Sequence, residues 1–371
     1  MELYKSFLQF VKKNIVMIIA LFVAIVTIAF VPIDKEYLSY FDAKTLTCLF
    51  CTLAIINALK NINFFYMLAH KIVGLFKTTR LSVLALVYVT FVGSMLIAND
   101  MALLTFLPLG YIVLTTTNKE KYMAFTFIMQ NIAANLGGML TPFGNPQNLY
   151  LYSKFNIPTL EFLSIMIVPF LISIALITLC CFIFVKNEPL AINDLEMKLD
   201  PKRTIVYLLL FALSIVIVFR LIPYWLGLII IPSFLLFLDR RALKMIDYPL
   251  LATFIFFFIF AGNMARIDVV RDLLSSLLEK NTLLVAILSC QFISNVPTSI
   301  LLSFFTNNYK ELLLGVNIGG VGTLIASLAS LITLREYLKN NPSKGLYYVG
   351  LFSIFNFSFL IILSILMLLI I

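Results

Sequence analysis

Charged residues are scarce in this sequence. Asp, Glu, Lys and Arg make up 12% of its 371 residues, whereas a soluble domain has about 25%. Hydrophobic residues make up 62%, and the mean hydropathy is +1.04. The longest hydrophilic stretch covers only residues 186–203, which leaves no room for a soluble catalytic, ATP-binding or DNA-binding domain. The composition therefore excludes a water-soluble fold and predicts an all-α polytopic membrane protein.

Histidine and clustered cysteines are also lacking, and with them most metal and redox chemistry. The only histidine is His70, and the five cysteines all lie inside apolar segments, where neither a disulfide framework nor a zinc site is expected. Cys48 and Cys51 form a C-x-x-C that indicates helix packing. The sequence has no H-E-x-x-H or G-x-S-x-G, so we expect no enzyme and no cofactor other than a coupling Na⁺.

The net charge of +9 predicts cytoplasmic loops rather than a nucleic-acid partner, because excess Lys and Arg mark the cytoplasmic ends of membrane spans. Runs of about 20 apolar residues, enough to cross roughly 30 Å of hydrocarbon, follow one another from residue 15. Their flanking charges predict about nine full spans and two re-entrant hairpins. Lys5, Lys12 and Lys13 place the N-terminus in the cytoplasm. The expected location is the cytoplasmic (inner) membrane of a bacterium or archaeon.

The two predicted hairpins have opposite orientations. Residues 81–117 begin and end beside basic residues, so both ends are expected in the cytoplasm, whereas both ends of 283–305 are expected outside. The chain then divides into four segments. These are an N-terminal helix with an external loop (1–43), a first inverted repeat (44–185), a cytoplasmic loop with two linking spans (186–248) and a second inverted repeat (249–371).

An internal repeat supports this division. Residues 135–149 and 317–331 share N-x-G-G-x-x-T-x-x-[GA]-[NS]-x-x-[NS]-L without a gap. Upstream, Ala98-Asn99-Asp100 pairs with Ser294-Asn295-Val296, and 57–60 pairs with 263–266. A segment broken by Gly and Pro at membrane depth leaves backbone groups that lipid cannot satisfy, so it must line a polar cavity. Paired broken helices of this kind are typical of secondary transporters.

Asp100 is the only acidic residue well inside an apolar segment, where burying a carboxylate costs at least about 2.5 kcal/mol. It is a candidate Na⁺ ligand or proton carrier, and the alternative is that it only caps the helix beginning at Met101. Its aligned counterpart is Val296, which predicts an asymmetric ion site. Arg266 and Lys60 are expected to snorkel to the interface. Their alternative role is to attract anions at the two vestibules.

Neutral oxygens and N–H donors around these breaks suit a cation and an oxyanion bound together. The predicted substrate-binding residues are Asn99, Thr141, Asn145, Asn148, Asn295, Thr298, Thr323 and Ser327. The predicted coupling-ion residues are Asn99, Asp100, Gly144, Asn145, Asn295 and Ala326.

At these motifs, residues 44–338 resemble the ion transporter superfamily. The resemblance is to its citrate-transporter-like and arsenite-permease-like anion permeases, relatives of the divalent anion sodium symporters. It implies that hairpin tips and unwound helix centres form the cation and substrate sites, and that the protein is a homodimer. Sodium-coupled dicarboxylate carriers have Ser-Asn-Thr at both tips, whereas this chain has Ala98-Asn99-Asp100 and Ser294-Asn295-Val296. The first tip is more similar to the arsenite-permease branch, which leaves both Na⁺ and H⁺ as coupling ions.

The leading hypothesis is a secondary active transporter of a small anion, either a carboxylate such as citrate or a dicarboxylate, or an inorganic oxyanion such as arsenite. Transport would be coupled to Na⁺ or H⁺ and proceed by alternating access. The alternative within the same superfamily is a Na⁺/H⁺ antiporter, for which Asp100 is the kind of carboxylate required. A channel is less favoured, because inverted repeats with broken helices indicate alternating access.

Overall fold

A computed structural model of the protein describes residues 14–190 and 199–370. Eight helices among these residues are long and apolar enough to cross a membrane, which confirms the all-α polytopic membrane fold. The three lysines used to orient the N-terminus lie outside the described residues, as do part of the 186–203 loop and Ile371.

The helices follow the apolar runs of the sequence closely. The first half of the chain forms α1 (Ile15–Ile28), α2 (Tyr37–Tyr40), α3 (Ala43–Asn61), α4 (Phe64–Gly74), α5 (Thr79–Ile97), α6 (Asn99–Thr116), α7 (Met123–Gly137), α8 (Pro146–Lys154) and α9 (Thr159–Phe184). The second half forms α10 (Pro201–Val218), α11 (Tyr224–Leu238), α12 (Arg240–Lys244), α13 (Tyr248–Ala265), α14 (Asp268–Ile293), α15 (Asn295–Leu302), α16 (Tyr309–Ile318), α17 (Leu328–Asn340) and α18 (Gly345–Ile370).

Helix α9 defines the two faces of the molecule. Its 26 residues extend for about 39 Å, more than the hydrocarbon thickness. Near its start, Glu161 forms an ion pair with Lys310 at 3.0 Å. Just after its end, Glu188 pairs with Lys119 at 2.5 Å and with Lys121 at 2.9 Å. We call these ends the Glu161 face and the Glu188 face, and the basic residues predict that the Glu188 face is cytoplasmic.

The two hairpins lie where the sequence predicts them and begin at opposite faces. In the first, α5 and α6 meet at Ala98, and both outer ends contact Glu188, whose backbone oxygen accepts a hydrogen bond from Thr79 N at 2.8 Å. In the second, the last part of α14 meets α15 at Ser294. Its far end lies at the Glu161 face, where Lys154 Nζ is 4.4 Å from the centre of the Phe304 ring.

The two broken helices run in opposite directions beside the hairpins. The first, α7 followed by α8, begins after Lys121 at the Glu188 face and ends at Lys154. The second, α16 followed by α17, begins with Tyr309, whose hydroxyl donates to Glu161 at 2.8 Å. It ends at the Glu188 face, where Asn341 Nδ2 is 3.5 Å from Sδ of Met123, the first residue of α7.

Each hairpin is preceded by a helical segment that was not expected from the sequence. Helix α4 precedes the first hairpin, and residues 268–280 of α14 precede the second. Asn281 has an extended backbone, with φ −166°, and its Oδ1 accepts a hydrogen bond from Leu284 N at 2.7 Å, so a new helical segment begins there. With 11 residues, α4 is too short to cross about 30 Å of hydrocarbon. The chain therefore stays at one face before it enters the first hairpin.

Candidate functional site

Both hairpin tips have the same unusual backbone. Ala98 has φ 63° and ψ 149°, and Ser294 has φ 74° and ψ 157°. Residues other than glycine rarely adopt this region, and the strain costs on the order of 1–3 kcal/mol. In each hairpin the next residue donates its backbone N–H to the broken helix: Asn99 to Gly144 O at 3.1 Å, and Asn295 to Ala326 O at 2.9 Å. The centres of the broken helices thus hold the strained tips in place.

The asparagine side chains at the tips complete these turns. Oδ1 of Asn99 accepts from Asp100 N at 2.9 Å, and Oδ1 of Asn295 accepts from Val296 N at 2.9 Å. Both asparagines are only 3% exposed. The two tips are therefore equivalent in their backbone contacts although their sequences differ.

The predicted residues Thr141 and Thr323 fasten the broken helices to the hairpin arms. Thr141 Oγ1 donates to Met95 O at 2.6 Å, and Thr323 Oγ1 donates to Gln291 O at 2.9 Å. Their hydroxyl groups are thus engaged with backbone carbonyls. Gln291 makes further bonds, because its Nε2 donates to the carbonyls of Gly319 at 3.0 Å and Val321 at 3.2 Å.

Two buried asparagines join the repeats to each other. Asn135 Oδ1 accepts from Ser327 Oγ at 2.8 Å and from Asn99 Nδ2 at 3.2 Å. Its aligned partner Asn317 accepts through Oδ1 from Asn145 Nδ2 at 3.2 Å. Asn145 and Ser327 also align with each other. The first broken helix therefore contacts the second through two equivalent bonds, as a pseudo-two-fold relation requires.

The remaining predicted residues bond to the unwound backbone or are buried within helices. Asn148 holds the unwound backbone, because its Nδ2 donates to Gly138 O and Met139 O, both at 3.2 Å. Thr298 is buried within α15. The predicted ion ligands Gly144 and Ala326 already accept hydrogen bonds from the tip residues.

Four helices begin at this point of the molecule. Helices α6 and α15 start at the tip asparagines, and α8 and α17 start just after Asn145 and Ser327. Each helix N-terminus carries about half a positive charge. Their convergence creates a positive potential without Lys or Arg, and such ends bind anions.

Two cavities meet at Asp100. The larger, about 310 Å³, is lined by both tips, by Gln147 and Ser327, and by apolar residues of α1 and α13. The smaller, about 70 Å³, lies between the first tip, α3 and the start of α13, where Asp247 also lines it. Of the predicted residues, the larger cavity is lined by Asn99, Asp100, Asn295 and Ser327.

Asp100 does not cap a helix. The helix begins one residue earlier, at Asn99, and Asp100 lies in its first turn, so the capping alternative is wrong. Its Oδ1 is buried and has no hydrogen-bond partner among residues 14–190 and 199–370. A carboxylate in this state is free to bind a cation.

Arg266 is held in an ion-pair cluster rather than left to attract anions. It pairs with Asp34 at 2.6 Å and with Glu36 at 3.1 Å. The hydrogen bond from its guanidinium lowers the pKa of Asp34 below the ordinary value. The vestibule role for Arg266 is therefore not supported.

Sequence reasoning did not assign Asn135, Asn317, Gln147 or Asp247 to the site. The first two open the repeated motif, and Gln147 lies between Asn145 and Asn148, so their position was a usable signal. No sequence signal points to Asp247, because its proximity to Asp100 depends on how α13 packs against the first hairpin.

Hairpins and broken helices that surround a shared cavity are typical of membrane transporters, and one similar protein is named as a transporter. The chain is 37% identical over 294 residues to an uncharacterized transporter, MJ0456, of Methanocaldococcus jannaschii, which covers 79% of this chain and 80% of the relative. It is 29% identical over 321 residues to the inner membrane protein YbiR of Escherichia coli, covering 82% and 83%. The protein is a multi-pass membrane transporter. The sequence model of the citrate transporter family matches residues 8–311, and the chain belongs to that family.

Proposed function

We propose that this protein is a secondary active transporter of a small anion, coupled to Na⁺ or H⁺. The substrate is a carboxylate such as citrate or a dicarboxylate, or an inorganic oxyanion such as arsenite. The observation that carries the proposal is the convergence of four helix N-termini on the 310 Å³ cavity. Its volume is at the lower end of the roughly 300–1,000 Å³ of small-molecule sites.

The cavity recognises negative charge through dipoles rather than basic side chains. None of the described residues that line it is Lys or Arg. The dipoles of the four helix N-termini supply the positive potential, and Asn295 Nδ2 is the side-chain donor at the cavity, since Asn99 Nδ2 and Ser327 Oγ already donate to Asn135. Such a site suits an oxyanion that must also be released, because no full countercharge holds the substrate.

Cation coupling follows from the charge of Asp100. An ionised carboxylate in the wall of an anion site repels the substrate, and at an effective dielectric constant of 20 two unit charges 4 Å apart cost about 4 kcal/mol. A Na⁺ or proton bound at Asp100 removes this repulsion. The anion then binds well only when the cation is also bound, which is the condition for symport.

Alternating access is supported by the antiparallel arrangement of the two units. Each has a hairpin and a broken helix, and they meet at the cavity from opposite faces, as in transporters built from inverted repeats. We assign residues 44–185 and 249–371 to these repeats. The family resemblance further supports a homodimer as the working form.

The test is uptake of labelled citrate, succinate and arsenite into proteoliposomes under imposed Na⁺ and proton gradients. We expect gradient-driven uptake of one of them, its loss in Asp100→Asn, and its retention in Asp268→Asn. Asp268 is a matched control because it is an exposed carboxylate that pairs with Arg271 on the surface. Uptake that persists unchanged in Asp100→Asn would contradict the coupling role.

The second candidate is a Na⁺/H⁺ antiporter, which is favoured by the buried Asp100 Oδ1, an atom without a hydrogen-bond partner in the described parts of the chain. The same vesicles separate the two functions. If no anion moves while a Na⁺ gradient drives proton flux through the wild type, the anion proposal fails and the antiporter stands.

A further inference from the structure

The small cavity beside Asp100 is chemically different from the large one. Its volume is about 70 Å³, and its lining includes Asp100, Asp247, Thr52 and Asn99 among apolar residues. Two carboxylates therefore face a space several times smaller than the roughly 300–1,000 Å³ of small-molecule sites. A carboxylate substrate does not fit there, and its charge would be repelled.

Asp247 caps the start of α13. Its Oδ1 accepts a hydrogen bond from Leu250 N at 3.0 Å. Asp247 is an exposed residue, so its carboxylate is accessible to solvent. It also borders the small cavity. Asp247 thus lies between the aqueous phase and the buried Oδ1 of Asp100.

The aqueous phase that Asp247 contacts is the one at the Glu188 face. Helix α3 ends at Asn61, and α4 is too short to cross the membrane before Thr79 bonds to Glu188. Asn61 Nδ2 donates to Asp239 Oδ2 at 2.9 Å, and only the five-residue α12 separates Asp239 from the Asp247 turn. Asp247 is therefore on the Glu188 side of Asp100.

The charges around the small cavity call for a cation. Among the described residues that line it, none is Lys, Arg or His. The buried Oδ1 of Asp100 has no hydrogen-bond partner in the described parts of the chain. Two like charges that share a small site raise each other's energy unless a cation lies between them, and carboxylate oxygens are the ligands that hard cations prefer.

We propose that the coupling cation, Na⁺, passes between the Glu188 face and Asp100 through this cavity, with Asp247 as the carboxylate that attracts it at the entrance. The anion occupies the larger cavity, so the two solutes take separate routes that meet at Asp100. This inference rests on the proposed cation coupling. It adds a residue and a path that the hairpin motifs do not contain.

The test measures Na⁺ binding to the purified protein without any anion substrate. A ligand that binds only the folded state raises the unfolding temperature with its concentration. We would follow thermal unfolding while NaCl replaces choline chloride at constant ionic strength. In the wild type, Na⁺ raises the unfolding temperature. In Asp247→Asn and Asp247→Ser, about tenfold more Na⁺ is needed for the same rise in unfolding temperature, the equivalent of about 1.4 kcal/mol.

These two variants separate charge from folding. Asn and Ser both serve as N-caps, so the hydrogen bond to Leu250 N is retained while the negative charge is lost. Asp200→Asn is the matched control, because Asp200 is an exposed cap that accepts from Lys202 N at 3.0 Å and does not line the cavity. Its Na⁺ response should equal that of the wild type.

Two results overturn the inference. One is an unchanged Na⁺ response in both Asp247 variants, and the other is a wild type that Na⁺ does not stabilise more than choline. Neither depends on which anion is carried, so the uptake assay remains a separate test of the proposed function. A protein that binds Na⁺ through Asp247 yet carries none of the tested anions would refute the anion proposal alone.

Discussion

The two hairpin units share a backbone but not a charge. Both tips have a positive φ, both donate a backbone N–H to the centre of a broken helix, and both broken helices are tied to a hairpin arm by an aligned threonine. Yet Asp100 stands opposite Val296, and the small cavity that another carboxylate also lines lies at the first tip. The two units share a shape, whereas the carboxylate proposed to bind a cation belongs to the first unit alone.

The difference extends to how each unwound segment is held. In the second unit, Gln291 bonds to the carbonyls of Gly319 and Val321, which leaves these groups satisfied within the protein. Its equivalent in the first unit is Met95, which has no such donor. Asn148 takes over there by bonding to Gly138 O and Met139 O. The two units thus use different residues to satisfy the carbonyl groups of their unwound segments.

The largest effect is expected from breaking what the units share. Asn135→Leu leaves Ser327 Oγ and Asn99 Nδ2 without their acceptor, and Asn317→Leu leaves Gln147 Nε2 without its acceptor and Asn148 Oδ1 without its donor. At about 1–3 kcal/mol per group, each variant should lose roughly 2–6 kcal/mol of stability. The losses should be similar because each variant leaves two buried polar groups without a partner. Unfolding in detergent measures both, with Asn307→Ala in an exposed connection as control. A loss in only one variant would show that the two contacts are not equivalent.

A smaller effect should distinguish the units. Gly322 has φ 122°, and a Cβ there would collide with the Gln291 side chain, whereas the aligned residue of the first unit is Leu140. Gly322→Ala should therefore destabilise the protein by on the order of 1–3 kcal/mol. The control is Gly350→Ala in α18, where a Cβ meets nothing within 4 Å, so stability should stay equal or rise. Equal unfolding temperatures for the two variants would refute the argument.

The smallest effect concerns the base of the first hairpin. Hydrogen bonds from Lys119 and Lys121 lower the pKa of Glu188 to about 2 from its ordinary 4.5. A lowered pKa means that the carboxylate stabilises the fold above pH 4.5 and that this contribution is lost as pH falls through about 2. Glu188→Gln should thus be slightly less stable than the wild type at pH 7, and the difference should shrink between pH 4.5 and pH 2.

Thermal unfolding at several pH values checks this, with Glu279→Gln, at an exposed position of α14, as control. The control should stay close to the wild type at neutral pH. A gap between Glu188→Gln and the wild type that widens in acid would contradict the assigned ion pairs.

The sequence predicts those parts of the fold whose signals are local. Glycine, proline and asparagine inside apolar runs mark the tips at 98–100 and 294–296, and the aligned motifs mark both broken helices, as the structure confirms. Helix α4 and the first part of α14 are not predicted, because short helices that carry charges such as Lys71 and Arg271 resemble loops in the sequence. Their apolar residues are too few to mark a span.

The site is less predictable than the fold. The motif identifies polar residues but not which way each faces, so Thr141 and Thr323 were assigned to the substrate although they bond to hairpin carbonyls. Orientation depends on the exact turn at each break. The approach of Asp247 to Asp100 is a matter of long-range packing, which no local pattern encodes.

The short connection after α9 has a mechanical consequence. The carboxylate of Glu188 forms ion pairs with Lys119 and Lys121, and its backbone oxygen accepts a hydrogen bond from Thr79 N. Leu190 N donates to Lys77 O at 2.9 Å. Residues 186–190 therefore connect both ends of the first hairpin to α9, a helix long enough to cross the bilayer. If the first hairpin moves during the proposed transport cycle, we therefore expect α9 to move with it.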